Sequence, residues 1–145
     1  MIYCFFGNEN VNNIKPIDEA FLNVKNPSHL YDLMSTIWCE YSCAPRLRPS
    51  WSKDNMTLGQ CSITSFLIQD IFGGEVYGVP LPEGGYHCFN VVNGIMFDLT
   101  SEQFKGEKLE YTLNFPQSRE EHFKSQEKYE RYLYLKRELV NKLTH

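Results

Sequence analysis

Apolar residues at Ile63, Phe66, Leu67 and Ile71 recur three and four positions apart, which predicts a helix that stops at Gly73-Gly74, where glycine allows a left-handed close. Thr57 with Gln60 three positions on has the form of a capping box and predicts that this helix opens just before Cys61. Asn26-Pro27 reads as a cap followed by proline at the first helical position. The helix it opens carries Leu30, Leu33, Met34, Ile37, Trp38 and Tyr41 on one stripe and is expected to end before Pro45. Ser118 with Glu121 repeats the capping pattern and predicts one long terminal helix over residues 118–143, with Tyr129, Tyr132, Leu133, Leu139, Val140 and Leu143 facing inward. Between these helices the period changes. Glu75–Val79, Tyr86–Val92 and Ile95–Thr100 are rich in β-branched and aromatic residues and read as strands, with a further short strand at Lys108–Leu113. Residues 1–26 carry the weakest pattern, with Met1–Phe6 the one strand-like run. Residues 44–58 form a turn-rich connection expected to run over a cleft beside Cys61, and the Pro80–Gly85 loop is expected to border it.

Asn93-Gly94 sharpens this outline, because that dipeptide is the strongest short-range signal for a two-residue hairpin turn. If Val92 faces Ile95, then Phe89 faces Asp98 and His87 faces Thr100. His87, Phe89 and Val91 then share a sheet face with Met96, Asp98 and Thr100, while Cys88 points the other way and reads as core. His87 and Asp98 become diagonal neighbours, roughly 7 Å apart at the backbone and within side-chain reach.

Composition sets the outer limits. A chain of 145 residues with 42% apolar and 22% charged residues is one ordinary globular domain, residues 1–145, with enough length for one core. A net charge of −4 offers no electrostatic hold on a phosphate backbone, which argues against a nucleic-acid partner. No stretch approaches the ~20 apolar residues of a membrane span, and Met1–Phe6 lacks a basic leader before Gly7-Asn8-Glu9-Asn10 ends its apolar run. Five irregularly placed cysteines suit a reducing compartment better than a disulfide framework, so a cytoplasmic location is expected.

Cys61 is the residue on which chemistry turns. A thiol in the first turn of a helix feels the positive end of the dipole and unpaired backbone N–H groups, both of which favour the nucleophilic thiolate. The order Cys61, His87, Asp98 along the chain suits a nucleophile, a base and a residue that orients the base. Gly59-Gln60-Cys61, then His87-Cys88-Phe89-Asn90, then Phe97-Asp98-Leu99-Thr100 resembles the Cys–His–Asp core of papain-like and transglutaminase-like folds. More closely, the stretch from Pro49 to Gly106 resembles an uncharacterised bacterial YunG-like family, whose pattern is matched here by Trp51-Ser52, Gly59-Gln60-Cys61, Asp70-Ile71-Phe72-Gly73-Gly74, His87 with Asn90, Asp98-Leu99-Thr100 and Gln103-Phe104. Two departures point to a minimal version of such a core. Gln60 adjoins the cysteine rather than preceding it by several residues, and Phe89 stands where transglutaminases carry a tryptophan.

The resemblance implies an α+β domain of papain-like or transglutaminase-like type, with an antiparallel sheet packed against the nucleophile-bearing helix. The function expected of it is a cysteine-dependent hydrolase or acyl transferase that passes through a thioester and acts on an amide, ester or protein substrate. Catalytic roles then fall on Cys61, His87 and Asp98, with Gln60 supporting the oxyanion and Trp51 and Arg46 as candidate substrate contacts. That chemistry requires no cofactor and no metal. Cys39 and Cys43, four apart, read as structural thiols, since no second pair of ligands with suitable spacing accompanies them. His29, His122 and His145 lack evident partners. Two other readings stay open at this level: a binding module of the antitoxin or immunity kind on the same fold, and a redox-sensing thiol at Cys61.

Overall fold

The structure is a computed structural model that describes residues 2–144. It is an α+β arrangement in which helices α1 (Pro27–Met34) and α2 (Cys61–Phe72) precede a three-stranded antiparallel sheet. The strands β1 (Glu75–Pro80), β2 (Tyr86–Val92) and β3 (Ile95–Phe97) lie in the order β1-β2-β3. Helices α3 (Arg119–His122) and α4 (Gln126–Leu143) end the chain. Short 3-10 turns fill the connections before α1, between α1 and α2, and after β3.

Helix α2 is the centre of the molecule. It packs on β2 and β1 with one side and on α4 with the other, so Ile63 through Ile68, Ile71 and Phe72 are all buried. A helix covered on two sides is apolar nearly all round, and two buried side chains from neighbouring segments hydrogen-bond to it. Trp38 Nε1 donates to Thr64 Oγ1 at 3.0 Å, and Asn90 Nδ2 on β2 donates to the Ser65 carbonyl at 2.9 Å.

Several expectations hold. Asn26 caps α1 by accepting from the His29 N–H at 2.9 Å, with Pro27 at the first helical position. Helix α2 begins at Cys61 and ends at Gly73, whose φ is 81°. The hairpin has the expected register, Val92 opposite Ile95 and Val91 opposite Met96. Its turn places Asn93 and Gly94 at φ 54° and 78°, the left-handed pair that a type I′ turn needs. Gly74 has φ 77°, and a Cβ there would collide with the Val91 carbonyl oxygen at the end of β2. We expect Gly74→Ala to destabilise the fold by about 2–4 kcal/mol, read as a fall in Tm, whereas Gly94→Ala, with open space around it, should cost less.

Other expectations are corrected. Helix α1 stops at Met34 instead of running to Tyr41, because Ser35 and Thr36 turn their hydroxyls onto the Asp32 and Leu33 carbonyls at 2.6 and 2.7 Å, which competes with helix continuation. Ile37 and Trp38 stay buried, but Tyr41 is exposed. Strand β3 ends at Phe97, not Thr100. The Asp98 N–H pairs with the Phe6 carbonyl at 3.0 Å, and Asp98 Oδ1 accepts from the Thr100 N–H at 3.1 Å, an Asx turn that breaks the ladder. Residues 108–113 form no strand. Of the Met1–Phe6 run, Phe6 alone makes a bridge, to Asp98, and Met1 lies outside the described residues. The terminal helix is two. Ser118 caps α3 and Ser125 caps α4, each accepting an N–H three residues on. Arg119 ties the first of them back to Asp70 of α2 at 2.8 Å. The inward stripe of α4 is Tyr132, Leu135 and Leu139, with Leu133 and Val140 exposed.

No helix among the described residues is long and apolar enough to cross a membrane.

Candidate active site

Gly59 sets the approach to α2. It sits at φ 71°, and its carbonyl accepts from the Ala44 N–H at 2.9 Å. A Cβ there would stand 2.5 Å from the Cys43 sulfur and 2.8 Å from the Ala44 nitrogen, so only glycine lets the two loops pass this close. The Thr57–Gln60 capping box does not form: Gln60 occupies the N-cap position without a side-chain cap bond. Cys61 is therefore the first helical residue, partly exposed, at the positive end of a 12-residue helix.

Residues of six segments, Lys128 and Arg131 of α4 among them, converge beside it on a cavity of about 360 Å³. Cys61 and Ser62 come from α2, Tyr86 and His87 from β2, Ala44 and Leu47 from the preceding connection, and Gln103 and Phe104 from the turn after β3. The 44–58 connection and the 80–85 loop both border the cavity as expected, through Arg46, Leu58, Leu81 and Glu83.

His87 and Asp98 meet as the hairpin register predicted. His87 Nε2 lies 2.6 Å from Asp98 Oδ2, and both side chains are almost wholly buried. The carboxylate is saturated: Oδ2 also accepts from the Tyr111 hydroxyl at 2.7 Å, and Oδ1 accepts from the Thr100 N–H at 3.1 Å and the Thr100 hydroxyl at 3.2 Å. Phe104 stands edge-on to the imidazole at 4.7 Å. With Nε2 given to Asp98, the ring's Nδ1 is left for the thiol. Gln103 Nε2 donates to the Thr57 carbonyl at 3.1 Å and the Thr100 carbonyl at 2.9 Å, tying the turn after Asp98 to the segment before Cys61.

Cys61, Cys88 and His87 act on one another's titration. A hydrogen bond with the Cys88 thiol lowers the Cys61 value, burial opposes it, and the charge and hydrogen bond of His87 lower it further, leaving Cys61 well below the ordinary thiol range. Cys88 takes the opposite shift, held well above that range by the same hydrogen bond and by burial, so it remains a thiol and donates. Burial pulls His87 down, but the Asp98 carboxylate and the Cys61 sulfur overcome it, and the ring is pushed up to about 10. Both shifts favour a thiolate at Cys61 beside an imidazolium at His87. Burial together with Asp98 pushes the Tyr111 hydroxyl up, so it stays a donor.

Three expected site residues thus come together and three do not all follow. Arg46 lines the cavity. Gln60 is fully buried, and its Nε2 donates to the Cys39 carbonyl at 3.1 Å, which turns the amide away from the cavity and corrects its expected oxyanion role. Trp51 pins its own loop by donating from Nε1 to the Met56 carbonyl at 3.0 Å and does not line the cavity, which corrects the expected substrate contact. Cys88 is buried as expected, yet its thiol also serves Cys61. His122 has partners after all: Gln117 Oε1 at 2.8 Å and Lys128 Nζ at 3.0 Å. The Asx turn at Asp98-Leu99-Thr100 was readable from residue type. Tyr111 reaches Asp98 only through tertiary packing and left no local signal. Among the described residues, no group of three or more His, Cys, Asp or Glu side chains is arranged to hold a metal ion.

No solved structure matches the chain. An uncharacterised protein, YunG of Bacillus subtilis (strain 168), is 35% identical over 95 residues, which cover 66% of this chain and 76% of that protein. Residues 26–144 match the family described as YunG protein. With Asn26 of the α1 cap, the cavity, its cysteine, the buried His–Asp pair and the terminal helices all inside that match, the chain belongs to the YunG family.

Proposed function

We propose that this protein is a cysteine-dependent acyl hydrolase or acyl transferase of papain-like or transglutaminase-like design. The observation that carries the reading is the buried His87–Asp98 pair, 2.6 Å apart, opening onto the same cavity as a thiol at a helix N-terminus. In this reading the Cys61 thiolate attacks the carbonyl carbon of an amide or ester, a C–S bond forms, and the carbonyl π pair moves onto oxygen. The Cys61 backbone N–H, unpaired in the first turn of α2, faces the developing oxyanion together with the helix dipole. Collapse of the intermediate breaks the bond to the leaving amine or alcohol, which takes the proton from His87 Nδ1 and leaves a thioester. Water or an amine then gives its proton to His87, attacks the thioester, and releases the thiolate. Asp98 holds the imidazole in place and stabilises its positive form throughout. Cys88 donates to the sulfur while it is negative, which favours the resting thiolate and the return to it.

The test uses p-nitrophenyl acetate and intact-protein mass spectrometry. One acetyl group is expected on wild-type protein, mapped to the Cys61 peptide, appearing with a burst of nitrophenolate. Cys61→Ala should show neither. Acetylation spread over several cysteines and lysines without a burst would leave the fold as a binding module instead.

A further inference from the structure

We infer that the Cys61 cavity contains an anion subsite built from Lys128 and Arg46, so that the compound it takes carries a carboxylate close to the reacting carbonyl. This rests on the acyl-transfer reading of Cys61 and adds the charge of its substrate. Lys128 and Arg46 line both the cavity that holds Cys61 and His87 and an adjoining cavity of about 610 Å³ reached past Leu81 and Tyr86. The two spaces share these four residues as their common wall.

Among the described residues neither Lys128 nor Arg46 belongs to an ion pair. The contrast with Arg131, one turn further along α4 and on the same cavity, is informative. Arg131 is committed to Glu127 at 2.5 Å and to the Ser42 carbonyl at 2.9 Å. Lys128 is half-buried and instead gives one N–H to His122 Nδ1 at 3.0 Å. His122 in turn donates from Nε2 to Gln117 Oε1 at 2.8 Å, which fixes it as the neutral tautomer that accepts at Nδ1. The ring is braced against Phe66, centroids 5.1 Å apart. The ammonium is therefore held in position by a neutral group and keeps two of its three N–H donors for something else. A half-buried cation positioned without a counter-charge is suited to receive one from a ligand.

The surroundings agree in sign. The chain as a whole carries −4, yet its cavity wall is cationic. The acids that reach this wall are Glu83, exposed on the 80–85 loop, and Glu121, which is paired with Lys124 at 3.0 Å. Arg46 adds a planar fork matched to a carboxylate.

The experiment compares iodoacetate with iodoacetamide as alkylating agents of Cys61. Both present the same carbon and lose the same iodide, and they differ in one negative charge. Rates are followed on the Cys61 peptide, and their ratio is divided by the same ratio for a small free thiol. A wild-type ratio about tenfold above the free thiol at low ionic strength is expected, collapsing as salt is raised. Lys128→Gln should lower it three- to tenfold, Lys128→Gln with Arg46→Gln should bring it lower again, and Lys128→Arg should retain most of it. A ratio that is the same in wild type and in Lys128→Gln would overturn the subsite. Slow reaction of Cys61 with both reagents would sink the acyl-transfer reading, while the ratio would still report on the subsite.

Discussion

Iodoacetamide should alkylate Cys61 nearly as fast at pH 6 as at pH 8, and His87→Ala should slow the reaction at pH 6 by about a hundredfold or more. An ordinary thiol with a pKa of about 8.5 is thiolate in only a few parts per thousand at pH 6, so its rate falls about tenfold per unit below neutrality. Cys61 lies well below that range because the Cys88 thiol donates to its sulfur and the His87 ring lends its positive charge. Removing the ring leaves the Cys88 hydrogen bond and the helix terminus working against burial. The profile should then move up toward that of a free thiol. A wild-type profile that already tracks a free thiol would contradict the thiolate–imidazolium pair.

The same pair makes a stability statement whose sign follows from the two shifts. His87, raised to about 10, contributes stability that is complete below the free imidazole value of about 6.5 and is lost as pH climbs through about 10. Cys61, depressed, contributes stability that is complete above the free thiol value of about 8.5 and is lost as pH falls through its own lowered value. The two slopes cancel between roughly pH 6.5 and 8.5, and stability declines on either side. Tm measured across pH should show that plateau in wild type, and its alkaline shoulder should vanish in His87→Ala.

Asp98→Asn should reduce acyl-enzyme formation by about 10²–10⁴-fold, the range expected when an orienting carboxylate loses its charge and its acceptor pair. All four hydrogen bonds at this side chain arrive from donors: His87 and Tyr111 on Oδ2, the Thr100 N–H and hydroxyl on Oδ1. An asparagine amide has one oxygen to offer. Set toward His87 and Tyr111, it turns an NH₂ on Thr100; set the other way, it faces the imidazole with a donor. The imidazolium also loses its counter-charge at a site only 1% exposed. Breaking a buried pair by removing one partner costs about 3–5 kcal/mol, so Asp98→Ala should fall in that range and Asp98→Asn, which keeps the volume, below it. Activity is to be read well under the variant's Tm. An Asp98→Asn protein with wild-type burst kinetics would exclude this residue from the chemistry.

The parts of the site that share a short stretch of chain were legible in residue order. Asn93-Gly94 sets a two-residue turn, the period of two then assigns faces, and the register brings His87 within reach of Asp98. The start of α2 at Cys61 was readable too, though for the wrong reason. A glycine at positive φ bends the chain into the helix where a capping box was expected. Errors gathered where local polar groups compete with the pattern: the hydroxyls after Met34, the Asx turn at Asp98 and the second serine cap at Ser125 each ended an element that apolar spacing alone would continue.

The hairpin, its paired imidazole and carboxylate, and a thiol at the head of an apolar helix were settled by residue order, since turn chemistry and side-chain periodicity act over a few residues. Whether that thiol opens onto the imidazole was settled by how α2 lies across β2. The same holds for the Tyr111 hydroxyl on Asp98, the Cys88 thiol beside Cys61 and the His122-held Lys128 on the cavity wall. Those contacts join residues far apart along the chain, and the burial of the shared core around α2, rather than any local preference, brings them together.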